Sequence, residues 1–155
     1  MSAPPPDPKN EPIPPHIVAY TDGGARGNPG PAGYGLFVVD AVSGETVHAS
    51  SGAIGRATNN VAEYEGLLAA LRFALDHGCR RVSIRSDSEL LVRQMLGEYR
   101  VRNAGLKALH DEARRLVSRL ERVDFTHVRR AENREADRLA NEAMDRADAE
   151  TRAEG

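Results

Sequence analysis

Four acidic residues carry the chemistry this sequence suggests. Asp22 closes the segment HIVAYTD, just before Gly23-Gly24, and alone reads as a turn aspartate. Glu63 ends Asn60-Val61-Ala62-Glu63, a capping-box pattern in which its side chain reaches back to the helix start. Asp87 ends RVSIRSD at a helix entry, where Ser86 and Glu89 suit another box. Asp137 is the more telling residue. At ~100° per residue the last helix puts Ala136, Leu139, Ala140, Ala143 and Ala147 on one apolar face. Glu135, Arg138, Glu142, Asp145 and Arg146 gather opposite, while Asp137 sits at the edge of the stripe beside Ala140 and Met144. A carboxylate there needs a partner, either an arginine or a metal ion. Taken together, the four form an oxygen-only set without Cys or His, which favours hard cations, Mg²⁺ or Mn²⁺. A pair of such ions ~4 Å apart is a device for in-line phosphodiester hydrolysis.

These residues must be positioned by regular elements. Strands are expected over His16–Asp22, Tyr34–Asp40, Thr46–Ile54, Arg81–Asp87 and Val123–Val128. Helices are expected over Asn60–His77, Ser88–Leu96, Ala104–Leu120 and Asn133–Ala147. Gly23-Gly24 should stop the first strand and Gly78 the first helix. The order β-β-β-α-β-α-α-β-α predicts an α/β fold with a mixed five-stranded sheet: three antiparallel strands, then parallel additions, flanked by helices. Asp22 and Asp87 then fall at strand ends, where open α/β sheets place their ligands.

The chain has 155 residues, enough for one domain with a core. Seven of its nine prolines lie in residues 1–15, which read as a disordered tail. Residues 16–148 form the expected domain, and residues 149–155 a flexible C-terminal tail. The net charge of −2 argues mildly against a nucleic-acid binder, although a local patch can still hold phosphates. Basic charge is nearly all arginine, with Lys9 and Lys107 the only lysines. A single cysteine, Cys79, excludes an internal disulfide and suits a reducing compartment. There is no signal-peptide pattern and no membrane-length apolar run. A cytoplasmic monomer without an obligate protein partner is expected.

With these blocks in view, the sequence resembles type 1 ribonuclease H. The matching stretches are YTDGGARGNPGPAGYG (20–35), RATNNVAEYEGLLAAL (56–71), SDSELLVRQM (86–95) and VRRAENREADRLANEAM (128–144). The likeness is to the compact form found in many bacteria and archaea. It implies the ribonuclease H-like fold and endonucleolytic hydrolysis of the RNA strand of an RNA–DNA hybrid by two metal ions, leaving 5′-phosphate and 3′-hydroxyl ends. Asp22, Glu63, Asp87 and Asp137 would be the metal ligands, with two Mg²⁺ per site when substrate is bound and Mn²⁺ as a substitute. The backbone at Gly23 and Gly24 would face the RNA strand, and Asn28 the nucleic-acid surface. Arg56, Thr58 and Asn60 would border a DNA-phosphate pocket, Asn59 the minor groove, and Glu89 a ribose hydroxyl. Such an enzyme reads 2′-hydroxyls and groove shape rather than base edges.

Two departures from the family stand out. Val128–Asn133 is too short for the loop that carries a mobile histidine in some members; Arg129, Arg130 and Glu132 are the candidates to replace it, and His127 reads as structural. Gly97–Leu106 is too short for a basic, Trp-rich protrusion, and the chain has no Trp. Arg93, Arg100, Arg102 and Lys107 supply some charge nearby, so weaker, salt-sensitive binding is expected. Asn28-Pro29-Gly30 reads as a tight turn rather than a phosphate loop, and Cys79 as structural. A non-catalytic hybrid-binding module is a rival reading, but four mutually repelling carboxylates count against it. An exonuclease or integrase on a related sheet is another, and the TNN block and GNPG turn point away from both.

Overall fold

The computed structural model describes residues 13–154. Its elements are β1 (His16–Ala25), β2 (Gly30–Asp40), β3 (Thr46–Ala57), α1 (Asn59–Asp76), β4 (Arg81–Ser86), α2 (Glu89–Met95), α3 (Ala104–Val117), β5 (Arg122–His127) and α4 (Arg134–Glu154). A 3₁₀ turn, Arg130–Glu132, precedes α4. The sheet order is β3-β2-β1-β4-β5. β1, β2 and β3 pair antiparallel; β4 joins β1 in parallel and β5 joins β4 in parallel. This is the mixed five-stranded sheet the sequence predicts.

Strand alternation divides the side chains between two layers. On one face Ile17, Ala19, Leu36, Val38, Val82 and Ile84 form a core with Tyr64, Leu67, Leu68 and Leu71 of α1 and with the apolar sides of α2 and α3. On the other face α4 buries Ala136, Leu139, Ala140, Ala143 and Ala147, the stripe read from its sequence. That face is mostly alanine where it crosses Gly33 and Gly35 of β2. A Cβ on Gly35 would lie 2.1 Å from the Ala136 carbonyl oxygen, so α4 rests on bare backbone there. The α1 side repeats the device, since a Cβ on Gly23 would lie 2.3 Å from the Ala62 carbonyl carbon.

That close approach explains the main boundary difference. Gly23 and Gly24 do not stop β1; they remain in it, paired with Tyr34 and Gly33. Here glycine serves helix approach rather than a turn, and the turn lies beyond, closed by Arg26 N–H donating to Pro31 O at 2.8 Å. α1 is capped by Thr58, whose Oγ1 accepts from Val61 N at 3.2 Å, so the expected Asn60–Glu63 capping box does not form. Ser88, rather than Asp87, caps α2. The expected flexible tail over 149–155 is helical as far as Glu154. Nothing after Asn133 breaks a helix before Gly155, and Arg152 pairs with Asp148 at 3.2 Å. Of the expected proline-rich tail, residues 1–12 lie outside the described residues. Its end is docked: Ile13 packs on the core, and Pro15 O accepts from Arg80 N and Arg81 N at 3.2 and 3.0 Å.

The α4–sheet contact yields a test. Gly35→Ala should lower unfolding free energy by about 1–3 kcal/mol, the usual cost of overpacking, as measured by denaturant unfolding. Unchanged stability would mean that α4 sits further from β2 than described.

Candidate active site

β1 and β4 run in parallel, and their last paired residues are Thr21 and Ser86. Asp22 and Asp87 therefore leave neighbouring strands at the same level, and alternation turns both toward the α4 face. Glu63 comes from the early part of α1, whose backbone lies against Gly23. Since Thr58 does the capping, the Glu63 carboxylate is free to turn into the site. Asp22, Glu63 and Asp87 each offer an oxygen within 4.8 Å of the others.

Asp137 lies in the first turn of α4, its N–H donating to Asn133 O at 3.0 Å. Together with Asp22, Glu63 and Asp87 it lines one open cleft of about 400 Å³. Its nearest cation is Arg130, at 3.7 Å from Oδ1. That guanidinium is exposed and the contact is long, so it is not the buried arginine that would have made the pair purely structural.

The electrostatics of this cluster are unfavourable as it stands. Asp22 is 7% exposed, and its Oδ1 accepts from Gly23 N at 2.9 Å. Burial, then the charge of Asp87 and a hydrogen bond with Asp137, push its pKa up to about 8. Burial, followed by the charges of Asp22 and Asp87, holds Glu63 well above the usual carboxylate range. Glu63 Oε2 is buried without a hydrogen-bond partner. An all-carboxylate set with an orphaned buried oxygen fits a hard divalent cation, which would supply the missing partner and cancel the repulsion.

The other residues singled out in the sequence fall into four groups. Gly23, Gly24 and Asn59 line the cleft. Asn28 stands beside it: its Oδ1 accepts from Asn59 N at 3.0 Å, while Asn59 Oδ1 accepts from Ala25 N at 2.8 Å. These two bonds fix the β1–β2 hairpin to the start of α1. Arg56 and Asn60 are exposed on either side of the Thr58 cap. Glu89 is not brought into the cleft; it pairs with Arg93 at 2.8 Å and lines a separate hollow with Phe125 and His127.

Sequence reading missed several groups here. Asn133 is 1% exposed, and its Nδ2 donates to Thr21 O at 2.9 Å, which ties the entrance of α4 to the strand bearing Asp22. As a residue at a helix start it reads as a cap, so its reach to β1 left no sequence signal. Asn141 and Arg26 also line the cleft. Asn141 was findable, one helical turn beyond Asp137 on the same side. His127 Nε2 lies 3.3 Å from Asp87 O, in keeping with a structural role. Cys79 is buried, its thiol placed to donate to Pro15 O at 3.3 Å or Arg81 O at 3.2 Å.

Comparison with known proteins bears on this arrangement. Residues 20–143 match the family described as reverse transcriptase-like. The bifunctional protein Rv2228c of Mycobacterium tuberculosis is 48% identical over 131 residues, 84% of this chain but 36% of that protein. The chain thus spans about a third of the length of that relative. The solved N-terminal RNase H domain of rv2228c, in fusion with maltose binding protein, superposes with a TM-score of 0.84 at 46% identity, covering 88% of this chain and 98% of that one. Ribonuclease HI of Halobacterium salinarum is 44% identical over 131 residues, 84% of this chain and 65% of the relative. LC11-RNase H1, solved in complex with an RNA/DNA hybrid, superposes with a TM-score of 0.80 at 46% identity, covering 84% and 98% of the two chains.

The carboxylate cluster makes a thermodynamic prediction. Folded Asp22 keeps its proton to about pH 8, whereas the unfolded chain releases it near the ordinary value of 3.8. Its stabilising share is therefore complete below the unfolded value and lost as pH rises toward 8. Metal-free protein should lose thermal stability across that window. Asp22→Asn should flatten the loss and raise Tm at pH 8 by roughly 2–8 °C, the effect of about 1–2 kcal/mol in a chain of this size. A lower Tm for the variant in metal-free buffer at pH 8 would contradict this.

Proposed function

The chain belongs to the type 1 ribonuclease H family, and from that premise we propose that it is an endonuclease hydrolysing the RNA strand of RNA–DNA hybrids. The observation that carries the reading is the convergence of Asp22, Glu63 and Asp87 oxygens within 4.8 Å in a cleft that Asp137 also lines. Binding alone has no use for such repulsion; divalent-metal hydrolysis does. The cations would neutralise charge on the scissile phosphate and polarise it toward attack by water. Asp22, between its neighbours Asp87 and Asp137, would serve both cations, with Glu63 and Asp87 completing one and Asp137 the other. Mg²⁺ is the proposed ion, Mn²⁺ a substitute, and the products carry 5′-phosphate and 3′-hydroxyl ends. The same reading takes the protein as a cytoplasmic monomer, which its single buried thiol suits.

The rest of the cleft would recognise the two strands. Gly23 and Gly24 line the cleft beside the acids, beyond the last β1–β4 pair, so their backbone groups would face a ribose strand. Asn28 and Asn59, already tied to each other and to Ala25, are preorganised, and amide side chains donate and accept at once. Arg56, Thr58 and Asn60 would hold the DNA strand at the α1 start. Thr58 has its side chain engaged in capping, so its share falls to its position in the turn rather than to a free hydroxyl. For Glu89 to reach a ribose hydroxyl it must leave Arg93. Of the three candidates to replace the loop histidine, Arg130 is the one that lines the cleft.

Cleavage of a strand-labelled hybrid with Mg²⁺ or Mn²⁺ tests the reading. Wild type should make internal cuts in RNA only. Asp22→Asn should lose on the order of 10³-fold or more in rate. Arg130→Ala should slow multiple turnover while leaving single turnover nearly intact. Folded wild type that binds hybrid without cutting it would overturn the nuclease reading in favour of a binding module.

A further inference from the structure

Arg26 has no part in the metal cluster, yet it lines the same cleft. It stands at the β1–β2 turn, four residues past Asp22. Its guanidinium reaches across to α4, where Nη1 lies 2.7 Å from Asp145 Oδ1 and Nη2 donates to Asn141 Oδ1 at 3.5 Å. Asn141 is held in turn, its Nδ2 donating to Asp137 O at 2.9 Å. Asp137, Asn141 and Asp145 follow at four-residue intervals, one stripe of α4 that begins at the acid cluster and runs away beneath the hairpin.

Two features set this pair apart from a permanent structural bridge. Both side chains are open to solvent, 41% exposed for Arg26 and 65% for Asp145. An ion pair so exposed contributes little to folding and is readily exchanged. The hairpin is also fixed without it, through Asn59 and Asn28. The pair instead holds a long, flexible cation extended beside a negatively charged cleft. Arginine suits bidentate grip on phosphate oxygens, and phosphate contacts position a nucleic acid without reading its sequence. Along α4, the Asn141–Asp145 level lies roughly 6–12 Å beyond Asp137, at ~1.5 Å per residue. That span matches about two to four nucleotide steps at ~3.4 Å each along one strand.

We propose that Arg26 is a substrate-gripping residue: parked on Asp145 in the free protein, it exchanges that carboxylate for a backbone phosphate a few nucleotides from the scissile one. The inference rests on the ribonuclease reading above and names one further contact for it. Asp145 acts as a competing anion, which keeps the guanidinium extended and lowers its apparent affinity for phosphate.

Steady-state cleavage of a hybrid at several KCl concentrations tests the exchange, using wild type, Arg26→Ala, Arg26→Lys and Asp145→Asn, each checked for an unchanged melting temperature. Arg26→Ala should raise KM about three- to tenfold with kcat within about twofold, the loss of one charge-assisted contact. It should also reduce the slope of log(kcat/KM) against log[salt] by about 1. Arg26→Lys should recover the slope, and Asp145→Asn should lower KM about two- to threefold by removing the competitor. Equal losses of kcat in Arg26→Ala and Asp145→Asn with an unchanged salt slope would show a fixed clasp and overturn the proposal. Arg26→Ala kinetics identical to wild type would overturn it too, leaving the ribonuclease reading intact. A wild type that cuts no hybrid would overturn both.

Discussion

Mutual repulsion among carboxylates held at one point is the constraint on which this structure turns. Two of them, Asp22 and Asp87, are brought together by nothing more than parallel strand register, because Thr21 and Ser86 are the last pair of the β1–β4 ladder. Glu63 and Asp137 come from helices on opposite faces of the sheet. A fold that spent its packing energy on stability alone would not leave Glu63 Oε2 buried and unpartnered. The arrangement makes sense as a socket that is complete only with cations present.

Holding the socket requires both helices to press close on the central strands. Glycine at position 23 admits α1, and glycine at position 35 admits α4, each where a methyl group would meet backbone. The alanine stripe of α4 is the matching half of that contact. Asn133 adds a polar tie from the start of α4 to Thr21 O, one residue before Asp22. Asn59 does the same from α1 to Ala25 N, three residues after it. The acid-bearing strand is thus braced from both layers on both sides of Asp22, which keeps repelling groups in place before any cation arrives.

Much of this was legible in the sequence. Among the described residues, alternation and helical spacing placed the five strands and four helices, and the parallel direction of β4 and β5 followed from the rule that helix-connected strands add in parallel. Each of the four acids was visible, although three of them had a credible capping or turn explanation taken singly. Those explanations failed for definite reasons: Thr58 and Ser88 do the capping, and Gly23-Gly24 continue a strand. What stayed hidden was long-range. Glycine looks the same in a turn as beneath a helix. Arg26 and Asp145 are separated by most of the chain, so their pairing appears only when α4 lies across the hairpin. The helical stretch past Ala147 was underestimated because its apolar stripe ends there, although nothing in its sequence breaks a helix.

The most direct test of the account is calorimetric titration of metal-free protein with Mn²⁺ in buffers of differing ionisation enthalpy, at pH 6.5 and again at pH 9. Asp22, pushed up to about 8, holds a proton at the lower pH and has lost it at the higher. Cation binding should therefore release about one proton at pH 6.5, falling toward zero at pH 9. Binding at pH 6.5 with no proton release would show that the carboxylates are ionised and at ease without metal, and the central claim would fail.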